Sequence, residues 1–134
     1  MDSDRFDAEK VEQYWLAECE DAMMVAGHLM EKKDFSYALF FGHLALGKML
    51  KALYVKKCGE HAPPIHNLLQ LAKMSGLEID SELADKLSTI TSFNIDARYP
   101  DLKRSFRKKC TEDFTLQQMN HIKDVLQWLK SRLL

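Results

Sequence analysis

Glycine and proline are scarce in this chain, with 5 glycines and 3 prolines among 134 residues. An all-β sandwich or barrel needs frequent turns, and glycine and proline supply most of them. No segment shows the alternation of apolar and polar residues that marks a half-buried strand. The sequence therefore predicts an all-α fold, and its length predicts a single domain over residues 1–134.

Cysteine and metal-binding patterns are also sparse. Cys19, Cys58 and Cys110 are widely spaced and form no CxxC pair, which disfavours zinc ribbons and thioredoxin chemistry. No glutamate has a histidine three residues later, and no HExxH sequence occurs, so the di-iron bundle and zincin patterns are absent. We expect no metal, no cofactor and a reducing, cytoplasmic compartment.

Long apolar runs and an excess of one charge are missing as well. Lys and Arg number 19 against 20 Asp and Glu, a net charge of −1, which excludes nucleic-acid binding by bulk charge but leaves local patches open. The longest uncharged run, residues 35–47, is closed by Lys48. A membrane span needs about 20 apolar residues, so we expect a buried helix and no membrane partner. The acidic first residues show no signal peptide.

Helical periodicity is what the sequence does contain. Apolar residues recur at steps of three and four, which predicts an up-down bundle of about five helices. The expected helices cover residues 7–32, 35–58 and 66–75, a fourth capped by Asp80 or Ser81, and a last one starting at the capping box Thr115–Gln118. Residues 101–113 are expected to form a loop.

Small residues form a stripe in the second predicted helix. Ala38, Gly42 and Ala45 are spaced by four and three, and a glycine inside a helix costs up to about 1 kcal/mol relative to alanine. The stripe predicts close approach of another backbone. One hypothesis is a structural homodimer that uses this stripe, with Trp15 or Trp128 as an interface anchor.

Positive charge is concentrated in residues 98–109, which hold six cationic side chains and one acidic one, whereas residues 1–21 carry a net charge of −6. Tyr99 and Phe106 are interleaved with these cations. Three interpretations are open: a segment that binds phosphates and stacks a base, a segment that contacts an acidic surface of this chain or a partner, or a solvated loop.

Three stretches carry a family resemblance that covers nearly the whole chain. FGHLALGKMLKA at 41–52 places Lys48 and Lys51 three apart after small and apolar residues. PIHNL at 64–68 precedes the next helix, and NIDARYPD at 94–101 contains Ala-Arg-Tyr-Pro. In this order the stretches resemble the HEPN domain (higher eukaryotes and prokaryotes nucleotide-binding).

The resemblance implies a helical bundle that commonly dimerises, with nucleotide or RNA as ligand. Many members accompany a minimal nucleotidyltransferase in toxin–antitoxin-like pairs, so such a protein is the implied partner. Active members are metal-independent RNases with an arginine, four to six residues and then a histidine. No arginine here meets that rule, and Gly47 replaces the usual acidic residue before the second-helix lysine. We therefore expect no catalytic residue. The alternative is an RNase whose site is rearranged around His43 or His66.

The predicted ligand site centres on Arg98, which would contact phosphate, and Tyr99, which would stack or hydrogen-bond. Lys103 and Arg104 would add positive charge, and Lys48 and Lys51 would extend that surface. The alternative for Lys48 and Lys51 is ordinary snorkelling from an amphipathic helix. The predicted auxiliary residues are His43, His66, Asn94 and Asp101.

Overall fold

Six α-helices make up a computed structural model that describes residues 6–94 and 100–134, and those ranges contain no strand. This confirms the predicted all-α bundle and adds one helix to it. The helices are α1 Ala8–Glu31, α2 Phe35–Cys58, α3 Leu68–Met74, α4 Ser81–Thr91, α5 Pro100–Lys109 and α6 Glu112–Ser131.

The first two helices form an antiparallel hairpin and pack along most of their lengths. Asp7 caps α1 by accepting a hydrogen bond from the backbone N–H of Lys10 at 3.2 Å. α2 is the central helix, and Leu39, Leu46 and Leu50 on it are fully buried. By length and composition alone α2 would suffice to cross a membrane, but 72% of its apolar window lies inside the protein, as the sequence predicts for a core helix.

Helix α6 crosses α2 at the small-residue stripe. A Cβ built on Gly42 would lie 2.7 Å from Cδ1 of Ile122, so the two helices approach more closely than any other residue would allow without a shift. Ala38, Gly42 and Ala45 are all buried. At Gly42 the close approach is to the Ile122 side chain of α6 in the same chain, whereas the sequence predicts the approach of another backbone. The stripe is buried within this chain, so a homodimer would need another surface.

Short polar caps fix the two middle helices. The Asn67 side chain accepts from the backbone N–H of Gln70 at 3.0 Å, so α3 begins at Leu68, two residues later than predicted. Asp80 caps α4 as expected, accepting from Leu83 N–H at 2.8 Å. The Asn67 cap fixes the point at which the segment from α2 enters α3, and Ile65 and His66 of this segment line the site described below.

The predicted loop over residues 101–113 is wrong, because α5 occupies most of it. Pro100 in the first turn and three cations in the last turn favour a helix there. Phe106 alone of its residues is buried, stacked on Phe93 at 5.5 Å between ring centroids, so the segment has too little apolar periodicity to be recognised. The last helix begins before the predicted capping box, because Thr111 caps it instead of Thr115.

Candidate functional site

The predicted site residues fall into separate groups. Arg98 and Tyr99 lie outside the described residues. Lys103, Arg104 and Asp101 lie on α5, and Asn94 is half-buried after the end of α4. The four remaining residues line one pocket, and these are His43, Lys48, Lys51 and His66. The sequence links these four to the site without indicating that they meet.

This pocket, called here the aromatic–lysine pocket, lies between α1, α2 and the segment before α3. Its volume is about 210 Å³, below the roughly 300 Å³ at which enclosed small-molecule sites begin. It would therefore hold a phosphate or one ring and leave the rest of a ligand outside. The lining residues are Tyr14, Trp15, His43, Leu44, Gly47, Lys48, Lys51, Ile65 and His66.

Helical spacing explains how α2 supplies one wall. Leu44, Gly47, Lys48 and Lys51 are separated by three, one and three residues, which places them on one face of a helix. Gly47 leaves this wall open, since a Cβ there would meet nothing closer than Leu68 Cδ2 at 3.7 Å. Packing does not require a glycine at this position, but its missing side chain gives a ligand room beside the lysines.

The two lysines are drawn onto the indole of Trp15. The Nζ of Lys51 lies 4.9 Å from the ring centroid and that of Lys48 lies 5.8 Å from it, both within the range of cation–π contacts. Burial, with a contribution from the neighbouring Lys48 charge, lowers the pKa of Lys51. Lys48 also forms an ion pair with Glu18 at 3.2 Å. The two ammonium groups therefore lie beside Trp15 at the edge of the pocket.

His43 forms the buried inner wall of the pocket. It is 1% exposed, and its Nε2 lies 3.2 Å from the backbone oxygen of His66. A carbonyl oxygen only accepts, so Nε2 carries the proton and Nδ1 is the unprotonated nitrogen. Nδ1 is buried and has no hydrogen-bond partner in the part of the chain that the structure describes. Burial lowers the pKa of His43, which keeps the ring neutral. His43 positions the segment that carries the exposed His66.

The basic helix α5 has a different character. Its residues include five cations and one acid, Asp101, a net charge of +4. Arg107 donates to the hydroxyl of Tyr37 at 2.7 Å and lies 5.3 Å from its ring centroid, and Lys109 lies 5.2 Å from the ring of Phe114. Within residues 6–94 and 100–134, no carboxylate forms an ion pair with these cations. Pairing with this chain's own acidic first helix is therefore not observed there.

One strip of α2 connects α5 to the pocket. Tyr37, Leu44, Lys48 and Lys51 are spaced by seven, four and three residues, so they share a face of the helix. Tyr37 and Lys48 are eleven residues apart, which is about 16 Å along a helix axis. Tyr37, which contacts α5, therefore lies on the same side of the central helix as the two lysines of the pocket.

Three residues near this site are missed by sequence reasoning. The sequence offers Trp15 only as a possible anchor of a dimer interface, and it does not single out Tyr14 or Glu18. Tyr14 is 56% exposed and meets Trp15 edge-on at 5.1 Å between ring centroids. The sequence feature that could have pointed to these residues is the aromatic pair Tyr14–Trp15 in a helix otherwise rich in acidic residues. Its meaning depends on the antiparallel pairing of α1 with α2, which places Trp15 beside Lys48 and Lys51.

Metal ligands are not gathered anywhere in the described ranges, where no three His, Cys, Asp or Glu side chains lie close enough to hold an ion. The chemistry of the pocket is therefore that of its two ammonium groups, its aromatic rings and the exposed imidazole of His66.

Comparison with known proteins identifies the family. A family model described as the HEPN domain matches residues 12–132. The chain belongs to the HEPN family. HEPN domains are typically associated with nucleotides or RNA. The fold of this HEPN domain is similar to the crystal structure of the protein TT1696 from Thermus thermophilus, with a TM-score of 0.74 and 19% sequence identity over 90% of this chain and 96% of that chain. No curated protein matches the sequence.

Proposed function

We propose that this HEPN domain binds nucleotide phosphate groups, free or within single-stranded RNA, in the aromatic–lysine pocket. The observation that carries the proposal is the placement of two partly buried ammonium groups over one tryptophan ring. Charge and an aromatic surface at a single point match the two recognition elements of a nucleotide, its phosphate and its base.

The lysines would hold the phosphate. Hydrogen bonds that involve an ionised group are worth about 1.5–3 kcal/mol each, and the half-buried position of Lys51 weakens competition from water. The lowered pKa of Lys51 points the same way, since its cationic form is poorly solvated and gains from an anion. Tyr14 and Trp15 would supply the surface against which a base stacks.

The basic helix α5 would attract the rest of a polyanionic chain. Its cations have no carboxylate partner among the described residues, and Arg107 contacts the strip of α2 that leads to the pocket. Lys103 and Arg104 belong to this helix, and the proposed contacts of Arg98 and Tyr99 would immediately precede it. The proposal thus combines a pocket that selects the ligand with a basic helix that attracts polyanions.

Binding without cleavage is the form of the proposal that the geometry favours. A rearranged RNase site would need an accessible general acid and an accessible general base. Of the two pocket histidines only His66 is exposed, because His43 is 1% exposed and its Nε2 donates to the His66 carbonyl. Incubation of the purified protein with RNA tests this point, with Arg98→Ala and His66→Ala as controls. Cleavage that either substitution abolishes would favour the RNase hypothesis.

Partner binding is a further part of the proposal, supported by the family resemblance. We propose a minimal nucleotidyltransferase as the partner in a toxin–antitoxin-like pair, and a homodimer as the solution state. Co-purification with a nucleotidyltransferase encoded beside the gene tests the first. Light scattering at micromolar concentration tests the second, and a monomer would contradict it.

The ligand proposal is tested by titrating AMP and a short fluorescent single-stranded RNA. Lys48→Gln/Lys51→Gln should weaken binding of both at least tenfold, which corresponds to about 1.4 kcal/mol. Lys56→Gln/Lys57→Gln is the matched control, because it removes two charges from the same helix outside the pocket. Equal loss in the two variants, or no binding by the unmodified protein, would contradict the proposal.

A further inference from the structure

We propose that Glu18 competes with phosphate for Lys48 in the aromatic–lysine pocket: it occupies Lys48 until a phosphate displaces it, and the phosphate then draws the two lysines away from Trp15, which becomes available to a base. The pocket would then prefer a phosphate joined to an aromatic base over either group alone. This inference rests on the proposed function and adds a selection rule to it.

The ion pair between Glu18 and Lys48 is suited to displacement. Its two charged atoms lie 3.2 Å apart, and the side chains are 35% and 24% exposed, so water reaches both. Ion pairs at such partly exposed positions contribute little, because water screens both charges. A phosphate, which carries more charge and more acceptor oxygens than a carboxylate, would replace Glu18 at little cost.

The same lysines restrict access to Trp15. Lys51 lies 4.9 Å and Lys48 lies 5.8 Å from the centroid of the indole, within the distance at which an ammonium is attracted to the ring. A base would compete with them for this surface. A phosphate bound between the two ammonium groups would draw them away from the ring, and stacking of the base would then replace the two cation–π contacts.

Glu18 is singled out by its position. The lining residues of the pocket include no carboxylate, and among the described residues Glu18 alone forms an ion pair with a pocket lysine. Glu20, two residues further along α1, is exposed and has no such contact within the described ranges. This difference provides a matched pair of substitutions on one helix with the same change in net charge.

The experiment measures affinities for AMP, adenosine and inorganic phosphate by calorimetry, with Glu18→Gln compared to Glu20→Gln. Glu18→Gln should bind AMP and phosphate about threefold to fivefold more tightly, the equivalent of a lost competitor worth up to about 1 kcal/mol. Adenosine should bind weakly to every variant. In a Trp128→Phe protein, whose remaining tryptophan is Trp15, AMP should change the fluorescence much more than phosphate does.

Each outcome decides between the two claims. If the unmodified protein binds AMP but Glu18→Gln leaves the affinity unchanged or lowers it, the role of Glu18 is wrong and the proposed function stands. If AMP and phosphate bind equally well and change the fluorescence equally, base stacking on Trp15 is wrong. If neither the unmodified protein nor Glu18→Gln binds AMP or RNA, the proposed function fails and this inference fails with it.

Discussion

Two cationic regions of this molecule differ in how their charges are held. Lys48 and Lys51 belong to the buried central helix, lie against Trp15 and border a pocket, and Lys48 also pairs with Glu18. The cations of α5 are mostly exposed and attached to the fold through one buried side chain, Phe106. The first region holds both of its charges beside one ring at a pocket, whereas the second holds five on an exposed helix, where Arg107 contacts Tyr37 and Lys109 contacts Phe114.

This difference suits the two regions to different tasks: long-range attraction of polyanions by α5 and discrimination between ligands by the pocket. An exposed cluster of cations raises the local concentration of any polyanion, and its effect falls as salt screens it. A partly buried pair of ammonium groups beside an aromatic ring discriminates between ligands, because shape and desolvation enter the binding energy. The density of charge in the sequence thus indicates the attractive region, and the selective one becomes evident only from the packing of α1 on α2.

Charge reversal should separate the two regions most strongly. Lys48→Glu/Lys51→Glu should reduce AMP affinity about 100-fold or more, since two charge-assisted contacts of about 1.5–3 kcal/mol each are replaced by repulsion. Arg104→Glu/Lys108→Glu should change AMP affinity by less than about threefold, because α5 is not part of the pocket. Calorimetric titration measures both, and similar losses would remove the distinction.

Stability provides the next contrast. His43→Ala should lower the free energy of unfolding by about 2–4 kcal/mol, because it empties a buried site and leaves the His66 carbonyl without its donor. Arg104→Ala, at an exposed position of α5, should stay within about 0.5 kcal/mol. Urea unfolding followed by circular dichroism gives both values. A small effect at His43 would show that the wall of the pocket does not depend on it.

Salt dependence should identify the contribution of α5 to RNA binding. Each phosphate contact with a single strand contributes about 0.7 to the slope of log affinity against log salt. Lys103→Gln/Arg104→Gln/Lys108→Gln should therefore reduce the slope for a single-stranded RNA by up to about 2 and leave AMP binding nearly unchanged. An unchanged slope would mean that α5 is a solvated helix with no part in binding.

The pH dependence of stability should report the buried imidazole. Burial holds the folded-state pKa of His43 below its ordinary value of 6.5, so the unfolded chain binds the proton first as the pH falls. The contribution of neutral His43 to the free energy of unfolding is fully present above about pH 6.5. It is lost as the pH falls through the folded-state pKa. His43→Gln should flatten the dependence in this range, as urea unfolding at several pH values would show, and an unchanged dependence would contradict the role of the buried ring.

The architecture was more predictable than the site. α2 matched its predicted bounds because Gly59 stops it after a long apolar run, and Asp80 capped α4 as expected. α5 was missed since only Phe106 connects it to the core. The capping Thr was misplaced by one helical turn because Thr115–Gln118 matches the capping-box pattern, whereas Thr111, which caps α6, is followed three residues later by Phe114 instead of Glu or Gln.

The site was half predictable for a physical reason. His43, Lys48 and Lys51 share a helix, so periodicity and the family resemblance suffice to connect them, and His66 lies in the short segment that the resemblance marks. Trp15 and Glu18 come from the other helix of the hairpin, and Glu18 lies 30 residues from Lys48 in sequence. Their role depends on the register between α1 and α2, and no local pattern encodes that register.

The most direct test is an amide NMR titration of the isotope-labelled protein with AMP, including the indole signals of both tryptophans. The account predicts that the largest shifts occur at Trp15, Gly47 and the residues around Lys48 and Lys51, with little change on α5 or at Trp128. Shifts confined to α5, or centred on Trp128, would contradict the claim that the aromatic–lysine pocket is the ligand site.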